Sequence, residues 1–77
     1  MPNHIPSREI VENLRKEYPK GTRVELVSMT DPYNHKLKPG DQGNVEFVDA
    51  MGTIFVAWDC GSGLGVAYGV DCIKKLS

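Results

Sequence analysis

The hydrophobic pattern of this chain changes period once, at Gly21, and does not change back. Before it, Ile10, Val11, Leu14 and Tyr18 recur at i, i+1, i+4 and i+8, the stripe of a helix that buries one face. After it, apolar residues alternate with polar ones in short runs, as in strands covered on one side. A helix this short is marginal alone, so it must lean on the sheet that the rest of the chain makes. The pattern therefore points to a mainly β fold with one N-terminal amphipathic helix.

The boundaries follow from local chemistry. Residues 1–6 read as a short arm. Ser7 is placed to cap a helix over residues 7–18, with Glu9 in the first turn, where the helix dipole favours a negative charge. Pro19 and Gly21 stop it. Alternation then predicts strands over Thr22–Met29, Gly43–Val48, Thr53–Trp58, Leu64–Tyr68 and Ile73–Leu76. The first two are separated by a polar, proline-rich loop ending in Pro39-Gly40, which fits the centre of a type II turn. Five short strands separated by turn signals suggest one domain over residues 1–77: a small SH3-like five-stranded barrel over 22–76, with the helix across one open end.

Composition narrows the function classes. No apolar run approaches the ~20 residues of a membrane-spanning helix. The charged N-terminus lacks the apolar core of a secretory signal, so a cytoplasmic location is expected, with Cys60 and Cys72 as free thiols. The net charge of −1 argues against a generically basic nucleic-acid binder. Residues 1–40 hold seven Lys or Arg against five acids, and residues 41–77 hold two against five. Any polyanion would have to dock on the first half or the tail.

The segment FVAWDCGSG, residues 55–63, places an aromatic residue, an acid and a cysteine before two glycines. Its spacing is that of a hairpin. A two-residue type I′ loop would put Cys60 at positive φ, where asparagine is favoured. No histidine or basic residue flanks Cys60 to activate its thiol. Cys60, Cys72, His4 and His35 lack the paired spacing of a zinc site, so no metal and no other cofactor is expected. The segment reads as a strand and a turn.

Four further pieces carry a resemblance: Gly21-Thr22-Arg23-Val24, Met29-x-Asp31-Pro32-Tyr33, Pro39-Gly40-x-x-Gly43-x-Val45 and Trp58-Asp59-x-Gly61-Ser62. With the helix before them and the ending GVDCIKKL, they resemble the domain-of-unknown-function 4314 family over nearly the whole chain. The family pattern has asparagine where this chain has Cys60. The resemblance implies an SH3-like barrel and a setting in bacterial phages, plasmids or conjugative elements. It implies no activity and no site.

Three functional classes remain. In a protein-interaction module, Pro32, Tyr33, Phe55, Trp58 and Tyr68 would form a peptide groove. Phe55 is the sharpest of these, since alternation with Ile54 and Val56 turns it away from the interior unless it packs under the helix. Trp58 alternates with core residues and reads either as core or as a half-exposed platform. In a weak nucleic-acid binder, Arg23, Lys36, Lys38, Lys74 and Lys75 would meet phosphates, with Tyr33 stacking on a base. In an enzyme, or in a protein sequestering a small molecule, a catalytic constellation or an enclosed pocket is needed; no Ser/His/Asp or paired-carboxylate arrangement is identifiable. The reading favoured is a non-enzymatic binding module of a mobile element with an unidentified protein partner.

Overall fold

The computed structural model describes residues 7–29 and 37–76. One helix, α1 (Arg8–Glu17), precedes five strands: β1 (Arg23–Ser28), β2 (Gln42–Val48), β3 (Thr53–Trp58), β4 (Gly65–Ala67) and β5 (Cys72–Lys75). They form one antiparallel sheet in the order β4-β3-β2-β1-β5. The chain is thus mainly β, as its pattern predicts, but the sheet does not close into the expected barrel. The two ends of the strand order, β4 and β5, share no ladder. β4 has only three residues, in a segment diluted by Gly63 and Gly65, and it ends in the turn that carries the chain across to β5, beside β1. Its short edge offers little to pair with.

The helix forms where its caps say it should. Ser7 Oγ accepts the Ile10 N–H at 3.3 Å, and the Tyr18 N–H closes the other end on Leu14 O at 2.8 Å. Thr22 then donates from N and from Oγ1 to Pro19 O, at 3.0 and 2.7 Å, turning the chain into β1. Val11 is buried, and Leu14 and Tyr18 pack partly against the core. Burying Val11 contributes about 1.5–3 kcal/mol, enough to hold a ten-residue helix that would be marginal in water.

The core is built from the inward residues of each strand: Val24 and Leu26, Val45 and Val48, Ile54, Val56 and Trp58, and Val66. Leu37 joins them from the end of the first long connection, with only 4% of its surface exposed, although the sequence there reads as irregular loop. β2 and β3 approach closely at Gly43, where a Cβ would lie 2.7 Å from the Ala57 carbonyl oxygen. No larger residue fits there without moving backbone.

Two turns test the sequence directly. Pro39-Gly40 is the expected type II turn: Asp41 N–H bonds Lys38 O at 3.0 Å and Gly40 takes φ +98°. The Asp41 carboxylate accepts the Lys38 N–H at 2.9 Å and closes it. The hairpin at Asp59-Cys60-Gly61 differs from expectation. Gly61 N–H bonds Trp58 O at 2.9 Å and Gly61 alone takes positive φ, +94°. This is a three-residue loop, a type I turn followed by a left-handed glycine, and it leaves Cys60 at negative φ. The expected strain at Cys60 is absent because Gly61 takes the left-handed position instead.

Candidate interaction face

The outer face of the sheet, opposite the core, is shaped by one extra residue in β2. Val45 pairs with Val56 and Phe47 with Phe55, so Glu46 is left over as a bulge. Strict alternation would send Phe47 inward beside Val45. With Glu46 inserted, Glu46 and Phe47 are both exposed, and Val48 returns to the core. Phe47 emerges beside Phe55, and the two rings stack with centroids 4.7 Å apart and an interplanar angle of 20°.

Phe55 points outward, as its alternation with Ile54 and Val56 predicts. Its ring lies over β4 as well as against Phe47: a Cβ on Gly65 would sit 3.3 Å from Phe55 Cε1. Covered on two sides, Phe55 is half-buried, whereas Phe47 keeps 54% of its surface exposed. Phe47 is the residue that sequence reading missed. Only the bulge reveals it, and nothing in the residues around Glu46 announces a bulge.

Of the remaining groove candidates, only Trp58 and Tyr68 fall within the described residues. Trp58 is removed from the site: it is 4% exposed, and its Nε1–H donates to Leu64 O at 2.9 Å. Its place on the inward face of β3, beside Ile54 and Val56, explains this. Tyr68 is exposed in the turn between β4 and β5. Pro32 and Tyr33 lie outside the described residues, as does Lys36.

The other cations proposed for phosphate contact are mostly occupied. Arg23 donates to both carboxylate oxygens of Asp59, one of them at 3.0 Å, with longer contacts to Asn44 Oδ1 and Gln42 Oε1. That bonding holds the Asp59 carboxyl below its ordinary range and raises Arg23 above its own. Lys74 pairs with Glu25 at 3.7 Å. Lys75 meets the Glu17 carboxylate at 3.7 Å and the Glu17 carbonyl at 3.0 Å, with its ammonium 5.8 Å from the Tyr18 ring centroid. Lys38 is exposed on the type II turn. Among the described residues, no group of three or more His, Cys, Asp or Glu side chains could hold a metal ion, and no helix is long and apolar enough to cross a membrane.

Next to Phe47 the surface dips. β1 begins opposite Asn44, and Thr22 and Gly21 continue the pairing only as far as Val45. Beyond that point the chain has turned away into α1, so Glu46–Val48 have no strand on that side. The gap is a shallow groove of about 250 Å³ between the end of α1 and the bulged part of β2. Tyr18, Pro19 and Phe47 supply its apolar wall, and Arg15, Lys20 and Glu46 its charges. Partial burial raises the Tyr18 phenol above its ordinary pKa, with Glu17 and Cys72 adding to the effect, so it stays neutral.

Neither a comparison with curated proteins nor one with solved structures finds a match. The sequence profile of one family fits residues 7–76, from the cap of α1 to the residue after β5. The chain belongs to that family, described as domain of unknown function (DUF4314).

Proposed function

We propose that this chain is a non-enzymatic protein-interaction module, built on an SH3-like arrangement of short strands, and that its partner docks on the outer face around Phe47 and Phe55. The observation that carries this reading is the stacked pair itself. Two phenylalanines placed side by side on a solvent face, one about half exposed, cost solubility and are not needed to fill the core. Aromatic residues of this kind are enriched among those that anchor protein interfaces. A setting in a bacterial phage or other mobile element accords with the family resemblance.

The nucleic-acid reading loses support from the ion pairs. Of the four described cations assigned to it, Arg23, Lys74 and Lys75 each have a carboxylate partner. Releasing them to meet phosphate would forfeit contacts already made.

The test is an affinity capture from bacterial lysate, with and without nuclease, using the natural chain and a Phe47→Ser variant. The module reading expects a protein retained after nuclease treatment and lost with the variant, which remains folded at the capture temperature despite a loss of about 1 kcal/mol in stability. Capture that collapses on nuclease treatment, or that is indifferent to Phe47, overturns it.

A further inference from the structure

We propose that the groove between the end of α1 and the bulged part of β2 binds a carboxylate-bearing peptide segment, an Asp or Glu side chain next to an apolar residue. This deepens the interaction-module reading and rests on it.

Arg15 is the reason. Its Nε–H donates to Val48 O at 3.1 Å, a bond between the helix and the buried end of β2. That contact satisfies a β2 carbonyl on the side where β1 has left, and it fixes the plane of the guanidinium. The two Nη groups have no carboxylate partner among the described residues. A guanidinium held by its Nε, with its outer nitrogens free, is arranged to receive both oxygens of a carboxylate. Arg23, by contrast, has its carboxylate already in Asp59.

The surroundings choose the occupant. Lys20, also on the groove, is exposed and has no ion pair among the described residues. Among the described residues Glu46 is the one acid on the lining, so together they give the groove a single net positive charge. That balance suits one carboxylate better than a dianionic phosphate. The wall of Tyr18, Pro19 and Phe47 offers an apolar surface beside the cation, which calls for an apolar neighbour on the same segment. Phe47 joins this wall to the stacked pair, so groove and aromatic face are one continuous surface.

The test is a nuclear magnetic resonance titration of the full chain with two capped peptides, acetyl-Phe-Asp-Leu-Glu-amide and its isostere acetyl-Phe-Asn-Leu-Gln-amide. The acidic peptide is expected to shift the Arg15 Nε–H and the Phe47 and Val48 amides saturably at millimolar concentration. The isostere should bind about tenfold more weakly or worse, the size of effect that one good charged contact confers. Lys20→Gln, whose side chain makes no hydrogen bond or ion pair among the described residues, should weaken the acidic peptide severalfold, and Arg15→Lys, which keeps the charge but loses the fork, should narrow its preference over the isostere. Equal affinity for the two peptides, shifts centred on another face, or no saturable shift would overturn the proposal. Partner capture that depends on Phe47 alongside equal peptide affinities would remove the carboxylate site and leave the module reading standing.

Discussion

Phe47 and Phe55 stack on the outer face because the bulge at Glu46 turns Phe47 out onto the side that Phe55 already occupies. The two rings are unequal partners. Phe55 is also covered from β4, where it lies over the bare backbone of Gly65, while Phe47 is open to solvent on its far side. Phe55→Ala should therefore destabilise the fold by about 2 kcal/mol and Phe47→Ala by about 1 kcal/mol. A double-mutant cycle in urea should return a coupling of about 0.5–1.5 kcal/mol, the range for an aromatic pair. A coupling of zero would mean that the rings do not stack in solution.

The same bulge marks where the sequence stopped being readable. Alternation found β3 to the residue, because Ile54, Val56 and Trp58 share the inward face and Gly52 and Asp59 bound it. In β2 alternation fails after Val45, since an inserted residue leaves no trace in composition. The helix was legible from Ser7 and its stripe. Leu37 was not, because a single apolar residue in a polar connection carries no period. Closure of the sheet was not legible either, as it depends on how the short edge strands meet rather than on any one strand. Glu46 therefore hides Phe47 from a reading by alternation, and burial takes Trp58 away from the exposed face.

The hairpin tip offers a test of local conformation. Gly61 alone is left-handed, so Gly61→Ala should destabilise by about 1 kcal/mol or somewhat more. Cys60→Asn should change stability by less than about 0.5 kcal/mol, since residue 60 has negative φ and its side chain is exposed. A type I′ turn would reverse the second result, because asparagine at a left-handed position would stabilise. Paired urea titrations of the two variants read the turn type without a new structure.

Trp58 is a core residue with a polar obligation. Trp58→Phe removes the donor to Leu64 O and leaves part of the indole volume empty. Loss of about 2 kcal/mol is expected, combining an unmet, partly buried carbonyl with a small cavity. The natural chain should show blue-shifted tryptophan fluorescence that moves red on unfolding. A red-shifted native spectrum would place the indole in water and return Trp58 to the candidate groove.

The Arg23–Asp59 pair ties the start of β1 to the end of β3 across β2, and it sets a pH signature. Arg23 holds the Asp59 carboxyl below its ordinary pKa chiefly through a side-chain hydrogen bond, which outweighs the opposing effect of desolvation, and its charge adds the smallest part. A carboxyl with a depressed pKa in the folded state binds its proton more readily when the chain unfolds. Its contribution to stability is complete above the unfolded-state pKa and is lost as pH falls through the folded-state value. As pH falls below the ordinary carboxylate range of about 4 the natural chain should therefore lose stability faster than Asp59→Asn, with the two curves parallel above about pH 5. Both side chains reach solvent, so the difference should shrink as salt is added. Urea midpoints of the two proteins across that range, at low and high salt, make the comparison. Curves that stay parallel down to the lowest pH would show that the pair seen in the structure is not formed in solution, and Arg23 would again be free to meet an anion.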